Sequence, residues 1–139
     1  MTYAPKFFGC DGLDGILNVE NFKTSLAEGV MLLTPFAADA TDSKTKTFVD
    51  AYKKAYKGTP NQFAADAYDA MYIIKAAAEK GSVTPSTSVS DTCTAMKKAM
   101  TEIKVDGLTG TGMSWSSTGA VSKNPKAVVI KSGAYVSMK

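Results

Sequence analysis

The stretch Thr59 to Gly81, TPNQFAADAYDAMYIIKAAAEKG, constrains the chain most, because both ends of a helix are written into it. Thr59 can cap, Pro60 suits a first turn whose N–H would be orphaned in any case, and Gly81 suits a left-handed stop. Between these signals Phe63, Ala67, Tyr68, Ala70, Met71, Ile74, Ala77 and Ala78 recur at three- and four-residue spacing, which predicts a helix over 60–80 with a broad apolar face. Gln62, Asp66, Asp69, Lys75, Glu79 and Lys80 fall to its other side. The many alanines allow close approach to a sheet or a second helix, so the segment reads as central packing.

Two further helices are predicted at 43–57 and 89–104. In the first, Phe48, Val49, Tyr52 and Tyr56 share a face and Gly58 stops the run; in the second, Asp91 favours the N-terminus and Cys93, Met96, Met100 and Ile103 form the buried stripe. A short helix is read over 19–27. The uninterrupted run Val30-Met31-Leu32-Leu33, ended by Pro35, predicts a strand buried on both faces under helices. Strands are also predicted at 5–10, 111–116, 127–131 and 134–138, the last two joined by a tight Ser132-Gly133 hairpin. Alternation of this kind over 139 residues, with 45% hydrophobic and 21% charged residues, fits a single α/β unit with helices packed on a mixed sheet.

The net charge of +3 comes from lysines alone, for the chain has neither arginine nor histidine. Base and phosphate recognition prefer arginine, and these lysines are interleaved with Asp and Glu, so no nucleic-acid partner is expected. Without histidine the commonest general base and metal ligand are missing; no metal, no cofactor and no enzymatic activity are expected. Cys10 and Cys93 are too few for a metal knot, and read as two buried thiols or as one disulfide. A hydrolase built on Cys10 with Asp11 or Asp14 has no base to activate the thiol. The LTGTG run is not a phosphate loop, since neither a helix nor a Lys-Ser/Thr pair follows it. No apolar run approaches a membrane span, and no export signal is visible in this numbering.

Near the N-terminus the strand-like KFFGC runs straight into DGLDG. A carboxylate at a strand's C-terminal edge is where open α/β sheets bind ligands, which makes Asp11 a candidate ligand residue, with Gly12 and Gly15 leaving room for approach. The structural alternative for Asp11 is an Asx-turn or an N-cap for the segment starting near Leu13.

The series FFGCDGLDG, AEGVMLLTPF, FVDAYKKAYKGTPNQFAADAYDAMYIIKAAAEKG and VDGLTGTGMSWSSTGAVSKNPKAVVIKSGAYV closely resembles the C-terminal part of the branched-chain amino-acid-binding family. These are the extracytoplasmic substrate-binding proteins of ABC transporters, with the type I periplasmic fold. The resemblance implies a two-lobed receptor in which an amino acid closes between the lobes, with 1–36 and 120–139 in one lobe and 37–119 in the other. It implies that Asp11, beside Gly12, meets the ligand's α-ammonium group, that an ABC permease is the partner, and that the protein works outside the cytoplasm. Family members are more than twice as long, and the serine and threonine loops that hold the ligand carboxylate lie in the part without a counterpart here; the chain is therefore expected to be a truncated receptor. One charge-assisted contact is worth roughly 1.5–3 kcal/mol against about 8 for a micromolar complex, so binding by this chain alone is expected to be no tighter than about millimolar. A self-associating unit, its strand edges and apolar patches paired with another copy, is the alternative, and a homo-oligomer is expected.

Overall fold

A computed structural model describes residues 4–138. Its regular elements are β1 (Phe8–Gly9), β2 (Met31–Thr34), α1 (Ser43–Tyr56), α2 (Gln62–Lys80), α3 (Val89–Met100), β3 (Lys126–Lys131) and β4 (Ala134–Ser137), with 3₁₀ turns at Asp11–Leu13, Ile16–Asn18 and Thr24–Ala27. The strands form one mixed sheet in the order β1-β2-β3-β4, β1 parallel to β2 and the other pairs antiparallel. This is the α/β architecture read from the sequence. The described residues divide into two compact units, one running to Ala65 and resuming at Pro125, the other Asp66–Asn124.

The first unit carries the sheet. Directly paired residues share a face, and register places Leu32, Thr34, Val128 and Ile130 on one side, all buried. Leu32 and Val128 pack there with Ala37, and Val30 and Tyr135 lie against them. The other side carries Phe8, Met31, Leu33, Ala127, Val129 and Val136, none of them buried; Phe8 is 73% and Leu33 55% exposed. The expected burial of Val30–Leu33 on both faces is thus corrected: one face is covered and the other is open. The hairpin formed as predicted, because Ser132 and Gly133 both adopt positive φ (50° and 73°), the twist a two-residue turn needs.

Helix α1 starts on Asp42, whose carboxylate accepts the Thr45 N–H at 2.9 Å, and joins the unit through an edge-to-face contact of Phe48 with Phe36 at 5.9 Å. Val49 is buried, whereas Tyr56 at the end of the same face is exposed. The left-handed residues that close α1 and follow α2 are Lys57 and Ser82, not the neighbouring glycines. Gly81 serves another purpose: a Cβ there would crowd the Ala77 carbonyl at 3.1 Å and Ala95 of α3 at 3.3 Å.

The second unit holds most of α2, α3 and the segment after it. Here the helical period holds and Ala77 of the expected face is buried, but most of that face is turned outward. The buried residues of α2 are Gln62, Ala65, Asp69 and Ala77, while Phe63, Met71, Tyr72 and Ile74 point outward. Asp69 is buried because a loop reaches it with three donors: Leu108 N–H, Thr109 N–H and the Thr109 hydroxyl, each at 2.8 Å. In α3 the buried residue is Ala99, and Cys93 is exposed, as is Cys10; both are free thiols, which removes the reading of two buried thiols and that of a disulfide.

Three short elements also differ from expectation. The 5–10 strand shrinks to Phe8–Gly9, and 19–27 holds a single 3₁₀ turn, Thr24–Ala27, instead of a helix. The segment 111–116 makes only isolated bridges, Val105 with Met113 and Trp115 with Val121, because no neighbouring strand runs beside it. Among the described residues no helix is long and apolar enough to cross a membrane.

Candidate functional site

A cavity of about 330 Å³ opens in the first unit, where the DGLDG turn, the segment after β2 and the β3–β4 hairpin converge. Phe36, Ala37, Val128 and Leu17 supply apolar wall. Asp14, Asn18, Asp39, Lys53, Thr59, Asn61 and Tyr135 supply polar groups.

Asp14, Asn61, Tyr135 and Asp39 are each held by hydrogen bonds. Asp14 faces the start of α2, and its carboxylate accepts the Gln62 N–H at 2.7 Å; beside it Asn61 caps the helix by accepting the Ala64 N–H at 3.1 Å. The Gln62 side chain is fully buried and donates to the Asp11 carbonyl at 2.8 Å, while its Oε1 lies 3.1 Å from the Thr34 hydroxyl. That hydroxyl also accepts the Phe36 N–H at 3.2 Å, which fixes the chain as it leaves β2. Tyr135, from β4, accepts the Gly15 N–H at 2.9 Å and lies 3.4 Å from the Leu13 carbonyl. Burial pushes its phenol above the ordinary value of 10.0, and the Gly15 N–H pulls the other way. Asp39 accepts from the backbone N–H and the hydroxyl of Ser137. The Lys53 ammonium forms no ion pair among the described residues.

The two residues nominated by sequence lie beside this cavity rather than in its wall. Asp11 and Gly12 sit in the first 3₁₀ turn, both exposed. The Asp11 carboxylate makes no hydrogen bond or ion pair among the described residues, and a Cβ added at Gly12 would meet nothing within 4 Å, so solvent reaches both. The carboxylate of DGLDG that faces the cavity is Asp14, turned inward because Gly15 follows at φ 93° and Gln62 offers its N–H. Tyr135, Asp39 and Lys53 were missed. Only their convergence on the hairpin and the β2 exit brings them together, and no local spacing signals it. A lysine with no ion pair among the described residues, two carboxylates and an apolar wall can accommodate a small solute with a charged head and an apolar body. Among the described residues no cluster of His, Cys, Asp or Glu could hold a metal ion.

The family model described as "periplasmic binding protein" matches residues 15–134. The chain belongs to that family. No curated protein sequence matches this periplasmic binding protein chain. Solved structures that do include an extracellular ligand-binding receptor from Rhodopseudomonas palustris, with a TM-score of 0.81 at 17% identity, covering 99% of this chain and 41% of that one. A leucine-binding protein from Thermotoga maritima matches with a TM-score of 0.77 at 19% identity, over 99% of this chain and 37% of its own. The branched-chain amino acid transporter substrate-binding protein from Streptococcus pneumoniae, solved with isoleucine, matches with a TM-score of 0.75 at 23% identity, over 95% and 36%. These likenesses give the fold, the type I periplasmic binding fold. The chain spans 32–42% of the length of the solved relatives it matches.

Proposed function

We propose that this chain is part of the solute-binding component of an ABC uptake system for amino acids of the branched-chain type. It acts outside the cytoplasm with an ABC permease, binds its ligand without transforming it, and carries 1–36 and 120–139 in one lobe and 37–119 in the other. The compact units of the described residues part elsewhere, after Ala65 and Asn124. The observation that carries the proposal is the family match over 15–134, supported by relatives whose names include leucine and isoleucine. In this reading Asp11, with Gly12 beside it, contacts the ligand's α-ammonium group; its carboxylate is exposed and free to do so.

Titration of leucine, isoleucine and valine into the chain, followed by amide chemical shifts, tests the proposal. A saturable response no tighter than about millimolar is expected, weakened severalfold in Asp11→Asn. Micromolar binding of any of the three by this chain alone would contradict the reading. A response unchanged by Asp11→Asn removes Asp11 from the site.

A second reading, a self-associating unit, is favoured by the open apolar face of the sheet and by the outward Met71 (69% exposed) and Ile74 (54%) of α2.

A further inference from the structure

The Asp11 carboxylate has no hydrogen bond or ion pair of its own among the described residues, so its place is set by its backbone. That backbone lies in the 3₁₀ turn Asp11–Leu13, none of whose residues is buried, and packing does little to fix it. Polar contacts from the start of α2 do. The Gln62 carboxamide donates to the Asp11 carbonyl at 2.8 Å, and the Gln62 N–H donates to the Asp14 carboxylate at 2.7 Å. One buried residue therefore grips the turn at its first position and at the position that closes it, where the Asp14 N–H returns to the same Asp11 carbonyl at 2.9 Å. The place suits a carboxamide. A carbonyl oxygen only accepts, so the Asp11 carbonyl directs Nε2 to the turn and leaves Oε1 toward the Thr34 hydroxyl, which can donate. Leucine offers neither group, and an ionised glutamate sets an acceptor against a carbonyl. The other end of the network is anchored in the sheet, for Thr34 is buried in β2 and its hydroxyl accepts the Phe36 N–H.

We infer that Gln62 is a positioning residue for ligand binding, holding the turn in the conformation that presents the Asp11 carboxylate; this rests on the reading of Asp11 given above. Buried as it is, Gln62 touches no ligand and acts through the turn.

Leucine titrations followed by amide chemical shifts, on the wild type and on Asp11→Asn, Gln62→Leu, Gln62→Glu and Asp69→Ala, test it, with circular dichroism to check that each variant folds. Gln62→Leu is expected to weaken leucine binding roughly fivefold, the worth of one hydrogen bond, and to speed amide exchange at Leu13 and Asp14, whose N–H groups close the turn on Cys10 and Asp11. Asp69→Ala, which loosens the chain at a site in the other unit, is expected to leave leucine affinity unchanged. Gln62→Glu supplies a readout that general destabilisation does not move. Its carboxyl can donate to the Asp11 carbonyl while protonated and cannot once ionised, and burial beside the Asp14 carboxylate raises its pKa. Leucine affinity in this variant is therefore expected to fall as pH rises between about 5 and 8, where the wild type stays level. Should Gln62→Glu misfold, Gln62→Leu against Asp69→Ala decides. Binding in Gln62→Leu that matches the wild type, or that is weakened no more than in Asp69→Ala, overturns the inference, as does a level pH profile in a folded Gln62→Glu; if Asp11→Asn still weakens binding, the reading of Asp11 stands. Binding weakened by Gln62→Leu but not by Asp11→Asn removes Asp11 from the site and the inference with it. A wild type without any response to leucine leaves no contact for Gln62 to position and overturns the inference too.

Discussion

The Gly15 N–H donates to the Tyr135 hydroxyl at 2.9 Å, tying the DGLDG turn to the last strand across 120 residues of sequence. The cavity wall depends on this tie, since Asp14 and Leu17 enter it from one side of the bond and Ala134 from the other. Tyr135→Phe removes the acceptor and keeps the ring. The expected cost is about 1 kcal/mol of stability, with chemical-shift changes concentrated at Gly15 and Leu13. Denaturant unfolding and amide spectra check both, and unchanged Gly15 shifts would contradict the assignment.

The same phenol sets an alkaline prediction. Its folded pKa lies above 10.0 and its unfolded pKa at about 10. The neutral phenol is favoured in the folded state, so its contribution is fully present below about 10 and is lost as pH rises through the folded value. The phenolate difference spectrum between the wild type and Tyr135→Phe should show ionisation later than for an ordinary tyrosine.

Asp42 works in the opposite direction. The Thr45 N–H, first among its influences, holds its carboxyl below the usual 3.8. A depressed folded pKa gives stability that is present above about 3.8 and lost as pH falls through the lower folded value. The first turn of α1 is expected to fray in that acid range, read from the amide of Thr45, and Asp42→Asn should flatten the pH dependence there while keeping a cap.

Asp69 meets three donors at 2.8 Å and is 3% exposed. Asp69→Ala strands these donors in a buried site and should cost about 3 kcal/mol, with amide protection lost at Leu108 and Thr109. Gly107→Ala is expected to destabilise the same loop, because its Cβ would collide with the Asp69 carboxylate. Equal stability of either variant to the wild type, by urea unfolding, would refute this account.

Gln62 is the corresponding buried polar residue of the first unit. Gln62→Leu keeps the volume but removes one of the two donors to the Asp11 carbonyl, which keeps the Asp14 N–H, and leaves the Thr34 hydroxyl without one neighbour. A loss of roughly 1–3 kcal/mol is expected. Double substitution with Thr34→Val should cost less than the sum of the single changes, because the two side chains share one hydrogen-bonding site.

Local signals decided where the elements of this protein lie. The three- and four-residue spacing of α1 and α2, the run Met31–Leu33 and the Ser132-Gly133 turn each act within a few residues, and each element formed, although α2 begins at Gln62 with Asn61 as its cap and not at Thr59 and Pro60. The α/β class and the membership in the periplasmic binding protein family follow from their order. Tertiary structure decided the faces. Spacing and side-chain type assign Phe63, Met71 and Ile74 to the interior of α2 and Gln62 and Asp69 to its surface, yet the partners that make polar burial favourable come from 28 to 51 residues away, at Thr34, Asp11, Leu108 and Thr109. The same holds in DGLDG, where two carboxylates three residues apart look alike in sequence. The Gln62 N–H and the left-handed Gly15 turn Asp14 to the cavity and leave Asp11 to solvent. A hydrogen bond's worth depends on which groups are buried with it, and that is fixed only when distant segments of the chain meet.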